Sequence, residues 1–511
     1  MSNQAILLVV MVVYLIGMLL IGISFSKKNE SAGDFYLGGR KLGPFVTAMS
    51  AEASDMSSWL LMGLPGVAYL TGVADAAWTA IGLAVGTYLN WLIVAKRIRR
   101  YSNTLDAITI PDFFSKRYKD DKNILTAIAS VIIIIFFIPY AASGFAACGK
   151  LFHSLFGIDY VVAMLLSAAV IVAYCTLGGF LAASTTDLIQ SIVMTIALIV
   201  VVCFGLSTVN GYNAVIDTAN DLPGYLSLNH TYSAATGSAN KYSFITICST
   251  LAWGLGYFGM PHILLRFMAI KDTKKLTLSR RVASIWVVIS LTVATFIGIM
   301  GFAMSKADVL PALADSSAAE TVIVKIADLL SHKGVLAAII AGLILSGILA
   351  ATMSTADSQL LAAASSVSQN LAQDVFHKKM SNKTAVRVAR ISVIVIALIA
   401  IFIARDPNSS VFEIVSFAWA GFGATFGPVV LLALFWKRSN KEGAFAGMFV
   451  GGVMIFVWKY AIRPIGGAFN IYELLPAFLL ALAVNVIVSL CTKKPEKEIV
   501  STFETVAKMK D

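Results

Sequence analysis

Runs of about twenty apolar residues recur along nearly the whole chain, and they limit what it can fold into. Each run is long enough to cross the hydrocarbon core of a bilayer as a helix. Apolar residues make up 58% of the 511 residues and charged residues only 13%, a composition far from that of a soluble domain. A β-barrel would show short segments of alternating hydrophobicity instead. The sequence therefore predicts an all-α polytopic membrane protein.

The apolar runs can be counted and oriented. Basic clusters fall in alternate loops between them, and the positive-inside rule assigns such loops to the cytoplasm. We therefore expect an external N-terminus and a cytoplasmic C-terminus, which an odd number of spans requires. Thirteen spans are predicted, at about 6–26, 43–70, 74–95, 124–150, 159–182, 187–208, 242–269, 282–304, 334–357, 384–404, 410–436, 443–462 and 471–491. The clusters are Lys27-Lys28 with Arg40-Lys41, Lys96–Arg100, Lys271–Arg281, His377–Lys379, Lys437-Arg438 and Lys493-Lys494.

Several functional classes are disfavoured. The net charge of +11 sits in short loops, where it meets anionic membrane lipid rather than nucleic acid. The sequence contains no GxxxxGK[ST] phosphate loop and no TVGYG-like filter, which disfavours an ATP-driven pump and a potassium channel. The five cysteines and five histidines lack metal-binding spacing. No pattern predicts an enzyme, a resident metal or an obligate protein partner.

One span carries a stretch that is poorly suited to a membrane helix. Ser50–Gly66 contains two carboxylates, Glu52 and Asp55, and four serines within an otherwise apolar run. A broken helix at membrane depth is stable only where it lines a protein cavity, and ionisable groups there indicate a functional site. The alternative is a loop at the membrane edge, which the apolar residues on both sides argue against.

A second span is interrupted in a similar way. Three glycines and a proline lie within Trp253–His262, in the middle of the span at 242–269. This span is the sixth from the first broken one, so each interruption heads a unit of five helices. Paired interrupted segments in corresponding positions indicate a transporter binding site. The predicted organisation is a first helix with a cytoplasmic loop (1–42), a five-helix repeat (43–208), an extracellular loop (209–241), a second, inverted five-helix repeat (242–436), and two further helices with a short cytoplasmic tail (437–511).

Oxygen ligands for a hard cation are available near the first interruption. Ser354 and Thr355 are adjacent hydroxyls near the cytoplasmic end of their span, and the carbonyl of Ala351 lies one turn earlier. With the carbonyls of Ala53 and Met56 they form a set of five neutral oxygens, which suits Na⁺ that must be released in every cycle. The alternative is that both hydroxyls merely bond to their own helix, and spacing alone favours neither reading.

Several motifs together resemble the sodium:solute symporter family over about residues 1–490. They are Ala53–Ser57 with Trp59, Trp253–Tyr257, Met353–Thr355, Gly38–Pro44, Gly178–Asp187 and Trp419–Pro428. The resemblance implies a five-plus-five inverted-repeat core with broken first and sixth helices, one helix before it and two after it. It also implies uptake of L-proline coupled to Na⁺ by alternating access in a bacterial plasma membrane. The alternatives are another small amino acid or carboxylate as substrate, or a sensor or channel that kept the fold.

The resemblance also implies roles for individual residues. Asp55 is implied in coupling, and Arg40 and Asp187 in gating or sodium release on the cytoplasmic side. Glu52 departs from the family pattern, in which we expect a small or neutral residue at this position. The implied sodium ligands are Ala53, Met56, Ala351, Ser354 and Thr355, and the implied substrate site comprises Ser57, Trp59, Tyr140, Trp253, Tyr257 and Pro261.

Overall fold

The computed structural model describes residues 2–26, 31–378, 380–407 and 410–509, so Lys27-Lys28 and Lys379 of the basic clusters lie outside the described residues. Within that part the chain is predominantly helical. The helices are α1 (Asn3–Phe25), α2 (Ala32–Leu37), α3 (Pro44–Ser58), α4 (Leu64–Thr71), α5 (Val73–Leu89), α6 (Ala95–Thr104), α7 (Ile110–Tyr118), α8 (Ile124–Phe156), α9 (Tyr160–Thr208), α10 (Tyr212–Asn220), α11 (Phe244–Leu251), α12 (Pro261–Ala269), α13 (Leu276–Lys306), α14 (Ser316–Ala319), α15 (Val322–Ser331), α16 (Val335–Ser365), α17 (Asn382–Ile403), α18 (Val411–Phe435), α19 (Lys441–Val457), α20 (Leu474–Cys491) and α21 (Lys497–Lys508).

Ten helical segments in the described part are long and apolar enough to cross a membrane, which confirms a polytopic helical protein. The predicted spans at 43–70 and 242–269 are not among them because each is divided into two shorter helices, α3 with α4 and α11 with α12. The predicted spans at 159–182 and 187–208 together form the 49-residue α9. The total of thirteen spans stays a prediction.

Helix α9 is too long for a single crossing and is broken at Gly179. At a rise of 1.5 Å per residue it would extend over about 74 Å, more than twice the hydrocarbon thickness. Gly179 has a φ of 63° and a ψ of −162°, a conformation that glycine adopts without a Cβ penalty. The break falls just before the predicted gap at 183–186. We interpret the two parts of α9 as separate crossings joined at Gly179.

Helix α16 lies at the centre of the bundle. Every residue from Ile344 to Ser366 is buried, including a run of hydroxyl and carboxylate side chains near its middle. A π-helical segment, Ser366–Val375, continues the helix beyond the apolar part. The helix therefore extends beyond the predicted span, which ends at 357.

A two-stranded antiparallel hairpin departs from the predicted all-α fold. Strands β1 (His230–Ser233) and β2 (Ser238–Lys241) pair within the polar segment at 209–241. The hydroxyl of Tyr225 bonds to the backbone carbonyls of Ala68 at 2.9 Å and Tyr69 at 2.8 Å. The segment is therefore anchored on the end of α4 rather than extending freely from the bundle.

Glycines bring α5 close to the second interrupted segment. A Cβ added to Gly86 would lie 2.3 Å from the carbonyl oxygen of Gly254, and one on Gly82 would lie 2.5 Å from that of Leu251. Only glycine allows two backbones to approach so closely at these positions. The close contact places the polar end of α5 directly beside the candidate site.

Candidate functional site

The first interruption is concentrated at Ser57, one residue before the end of α3 and just ahead of the π-helical turn Trp59–Gly63. Ser57 has a φ of 46° and a ψ of −172°, whereas Ser58 is helical again with a φ of −58°. A non-glycine residue in that region is strained and is held there by its surroundings. The Ser57 hydroxyl accepts a hydrogen bond from the backbone N–H of Trp59 at 3.0 Å. All residues from Thr47 to Gly66 are buried, so the broken backbone is enclosed by protein.

The second interruption is spread over many residues. Ala252–Gly259 forms a 3-10 helix, and Met260 is extended before Pro261 starts α12. The indole N–H of Trp419 on α18 donates to the carbonyl of Trp253 at 2.8 Å, which satisfies one backbone group in the unwound stretch. A Cβ on Gly256 would lie 2.0 Å from that indole nitrogen. The glycine content that indicated an unwound segment therefore also makes room for Trp419.

Four of the five implied sodium ligands lie together between α3 and α16. The Ser354 hydroxyl donates to the carbonyl of Ala53 at 2.7 Å and lies 3.1 Å from the carbonyl of Ala351. The Thr355 hydroxyl lies 3.4 Å from the first carbonyl and 3.3 Å from the second. The hydroxyls thus bond to their own helix and also reach across to α3. Hydrogen bonding within the helix and a position suited to cation binding are therefore compatible. Four neutral oxygens at such distances can act as ligands for a monovalent cation.

The fifth implied ligand, the carbonyl of Met56, takes part in a local backbone hydrogen bond. The carbonyl of Met56 accepts a hydrogen bond from the backbone N–H of Trp59, one turn further along the chain. It is therefore engaged by the local turn that follows the break. Its role as a sodium ligand stays a prediction.

Aromatic rings surround the two interruptions. The rings of Trp59 and Trp253 lie 5.6 Å apart, and Phe412 lies 6.1 Å from the first and 5.6 Å from the second. Tyr472 stacks on Trp253 at 5.1 Å. Trp253, Phe412 and Tyr472 line a cavity of about 390 Å³, which is large enough for a small organic solute. Phe412 and Tyr472 were not predicted from the sequence, because neither lies within an interrupted segment.

Asp55 joins two of the implied substrate residues. Its carboxylate accepts a hydrogen bond from the Tyr257 hydroxyl at 2.5 Å, and its backbone carbonyl accepts one from the Tyr140 hydroxyl at 3.2 Å. All three side chains are buried. Ser57 and Pro261 are buried as well. Of the six implied substrate residues only Trp253 lines the 390 Å³ cavity. The structure therefore brings Asp55, Tyr140 and Tyr257 together outside the cavity that Trp253, Phe412 and Tyr472 line.

Asp187 belongs to a separate buried polar group. Its carboxylate accepts hydrogen bonds from the Ser50 hydroxyl at 2.6 Å and from the Arg266 guanidinium at 3.2 Å. Arg266 also donates to the Ser50 hydroxyl at 3.0 Å and the Ser358 hydroxyl at 2.5 Å. Asp357, which accepts from Ser358 at 2.9 Å, extends this group on α16. The group ties α3, α9, α12 and α16 together.

Arg266 was missed in the sequence analysis, although a signal for it exists. It lies in the apolar run Pro261–Ala269, and an arginine at membrane depth indicates a functional site with a carboxylate partner. Removing one member of such a pair leaves an uncompensated buried charge, which is strongly destabilising. The pair therefore stabilises the packing of α12 against α9.

Arg40 connects the loop after α2 to two other segments. Its guanidinium donates to the carbonyls of Met268 at 2.9 Å and Ala107 at 2.6 Å, and to both oxygens of Ser102. Burial and the neighbouring Arg99 lower the pKa of Arg40 to about 10, so it remains protonated at neutral pH. It does not contact Asp187 directly, so the two implied gating residues act in separate bonding groups.

Comparisons with known proteins agree with this geometry. The chain is 42% identical to the "Osmoregulated proline transporter OpuE" of Bacillus subtilis over 97% of both chains. It is also 42% identical to a "Sodium/proline symporter" of Haemophilus influenzae, over 98% of this chain and 97% of the relative. Among solved structures, a Na⁺-coupled sialic acid symporter in a substrate-bound outward-open state matches with a TM-score of 0.79 at 19% identity, covering 96% of this chain and 99% of that one. MhsT in complex with L-phenylalanine matches with a TM-score of 0.55 at 13% identity, covering 88% and 98%.

Two interrupted helices inside a bundle of membrane helices define the class of the protein, a secondary transporter with its site at the breaks. The model of the sodium:solute symporter family matches residues 35–451, and the chain belongs to that family. It is a transporter and not an enzyme, with Na⁺ as the co-transported ion. With its membrane-spanning helices and bacterial relatives, it is a multi-pass plasma-membrane protein.

Proposed function

We propose that the protein takes up L-proline by symport with Na⁺ through alternating access. The observation that carries the proposal is the meeting of Ala53, Ala351, Ser354 and Thr355 oxygens beside the break at Ser57. Relatives over 40% identical that are named proline transporters or sodium/proline symporters support the choice of substrate.

Sodium and proline would be coupled through the short stretch between Ala53 and Trp59. An ion held by the Ala53 carbonyl and the α16 hydroxyls would fix the end of α3. Because Ser57 and Trp59 follow within two turns, this would also fix the part of the chain that meets the substrate. The carbonyl of Met56 would join the ligands if the turn to Trp59 opened. Ion binding then stabilises the substrate-binding conformation, which is the differential affinity that symport requires.

Proline suits the residues around the two breaks. The faces of Trp59 and Trp253 would enclose the pyrrolidine ring, while the Ser57, Tyr140 and Tyr257 hydroxyls would bond to polar groups. The start of α12 at Pro261 offers a positive helix terminus to the carboxylate. Asp55 would orient these hydroxyls through its bonds to Tyr257 and Tyr140.

The proposed topology places the N-terminus outside and the C-terminus in the cytoplasm, with repeats at 43–208 and 242–436. In this orientation the 390 Å³ cavity opens outward, because its lining residues lie next to the segments predicted to be external. The Asp187–Arg266 pair then closes the cytoplasmic side, with Arg40 nearer the membrane surface.

Single cysteines introduced at Ser238 and at Lys494 should react with a membrane-impermeant reagent from outside only and inside only, respectively. The reverse labelling would contradict this topology.

The energetics of the proposal are adequate. One positive charge that enters across 100 mV contributes about 2.3 kcal/mol before any concentration gradient. Since about 1.4 kcal/mol corresponds to tenfold, one Na⁺ per substrate supports accumulation on the order of tens-fold.

Uptake of labelled L-proline into proteoliposomes with an inward Na⁺ gradient tests the function. The double variant Ser354→Ala with Thr355→Ala should lose Na⁺-stimulated uptake. Ser346→Ala is the control, since Ser346 lies two turns earlier on α16 and bonds only to the Gly342 carbonyl of its own helix. Uptake that an Na⁺ gradient does not stimulate would contradict the proposal. Unlabelled competitors identify another amino acid or carboxylate as substrate, and the absence of any uptake would favour a sensor or channel.

A further inference from the structure

Glu52 is a buried carboxylate with an oxygen that the proposed mechanism does not use. It is 1% exposed on α3, one turn before Asp55. One of its oxygens, Oε1, accepts a hydrogen bond from the Trp91 indole N–H at 2.8 Å. The other, Oε2, is buried and has no hydrogen-bond partner among the described residues. A buried acceptor without a partner is costly, and a buried charge more so.

The carboxylates of Glu52 and Asp55 lie close together without a neighbouring cation. They are three residues apart on one helix, so they share a face. Their hydrogen-bond donors, the Trp91 indole and the Tyr257 hydroxyl, are both neutral. Within the described part of the chain, no lysine or arginine forms an ion pair with either. The site therefore requires positive charge from elsewhere.

Thr87 on α5 and Asn90, which directly follows α5, lie three residues apart on one helix face and carry two more such oxygens. Thr87 Oγ1 and Asn90 Oδ1 are buried and have no hydrogen-bond partner in the described structure. The Thr87 hydroxyl lies near the Glu52 carboxylate and the Tyr257 hydroxyl, and the hydrogen bonds it makes to them are weak and poorly aligned. The Asn90 amide nitrogen donates to the Tyr257 carbonyl at 3.0 Å, which leaves its oxygen free. A π-helical turn begins at Asn90, and such turns occur frequently at functional sites.

We propose that Glu52, Thr87 and Asn90 form a second Na⁺ site, distinct from the group around Ser354. The inference rests on the proposed function, because the second ion would be co-transported. A proton on Glu52 would satisfy one oxygen, whereas a cation satisfies Glu52 Oε2, Thr87 Oγ1 and Asn90 Oδ1 together. The described residues contain no cluster of three or more His, Cys, Asp or Glu, so a monovalent hard ion fits better than a divalent one.

The two ions would act on different interruptions. The first would join α3 to α16, whereas the second would join α3 to α5 and, through Asn90, to the unwound stretch at Tyr257. Both breaks would then be ordered by Na⁺ before substrate binds. We therefore expect uptake to depend on Na⁺ concentration more steeply than one ion allows.

Equilibrium binding of radioactive sodium to the purified full-length protein tests the site directly. Wild type should bind about two ions per chain, and Glu52→Gln about one. Gln keeps the shape and an oxygen for the Trp91 bond, and Thr87→Val is a second variant that removes one ligand without changing shape. Thr87→Val should weaken the second binding event severalfold. Glu442→Gln, at the exposed start of α19, is the matched control and should bind as wild type does. Size-exclusion profiles confirm that each variant is folded.

Transport measurements separate this inference from the proposed function. The Na⁺ dependence of proline uptake should change from sigmoidal in wild type to hyperbolic in Glu52→Gln. Equal ion counts in wild type and Glu52→Gln would overturn the second site while leaving symport intact. Uptake driven by a pH gradient without Na⁺, and lost in Glu52→Gln, would also overturn it, since Glu52 would then carry a proton. Wild type without Na⁺-stimulated uptake would contradict the proposed function, and the ion count would still decide the second site.

Discussion

The two interrupted helices depart from helical geometry in different ways. In the first, the departure from helical geometry is concentrated at Ser57, and α3 stays helical up to it. In the second, eight residues form a 3-10 helix whose glycines let α5 and Trp419 approach the backbone. The first break therefore frees few backbone N–H and carbonyl groups from the helix and fixes their positions closely, which suits the binding of an ion. The second provides space and aromatic surface, which suits a larger solute.

The largest expected effect comes from breaking the buried ion pair between Asp187 and Arg266, which links the helices around the two breaks. Asp187→Asn leaves the buried Arg266 guanidinium without its carboxylate and should cost about 3–5 kcal/mol. Thermal unfolding of the detergent-purified protein measures this as a lower midpoint. Glu504→Gln removes the partner of Lys437 in an exposed pair and should change the midpoint little. Equal effects of the two variants would mean that Arg266 does not depend on Asp187.

A glycine substitution tests the space at the second break. Gly256→Ala places a Cβ about 2.0 Å from the Trp419 indole nitrogen, which must move and lose its bond to Trp253. Such overpacking costs roughly 1–3 kcal/mol and should also lower proline uptake severalfold. Gly452→Ala is the control, since the nearest atom to its Cβ would be 3.6 Å away. Wild-type stability and uptake in Gly256→Ala would show that the close packing is not needed.

A single hydrogen bond at the second break should have a smaller effect. Trp419→Phe removes the N–H that satisfies the Trp253 carbonyl, at a cost of about 1 kcal/mol. In Trp458→Phe the lost indole N–H has no partner among the described residues, so the cost should be smaller. Trp419 is buried and Trp458 only partly buried, so the difference between the two midpoints contains the bond together with the space left by the smaller ring. No difference would contradict the role of the bond.

The smallest expected effect distinguishes Ser57 from its neighbour. Ser58→Gly adds backbone freedom at a helical position and should cost about 0.5–1 kcal/mol. Ser57→Gly should cost less, because glycine adopts the φ of 46° without strain and this relief offsets the loss of the hydroxyl that accepts from the Trp59 N–H. Stability measurements on both variants decide this, whatever happens to transport. If both lost the same stability, the break at Ser57 would carry no strain.

Much of the fold was predictable because hydrophobic length and glycine content are local properties of the chain. The two broken spans and the polytopic architecture were both predicted from these properties. The hairpin at 230–241 was not predicted, and the division of α9 was predicted at 183–186 rather than at Gly179. A short hairpin of polar residues has no hydrophobic period, and a single glycine does not reveal where a chain turns back.

The sequence by itself determined that the chain crosses a membrane many times, is broken twice, and belongs with sodium-coupled symporters. Those properties follow from apolar runs, helix breakers and motifs, which act over a few residues. Only the tertiary structure decided which polar groups meet. It brought Ser354 to Ala53, Arg266 to Asp187, and Glu52 to Trp91, pairs that are separated by 301, 79 and 39 residues. Buried polar groups must find partners, and helix packing alone sets which ones come within reach.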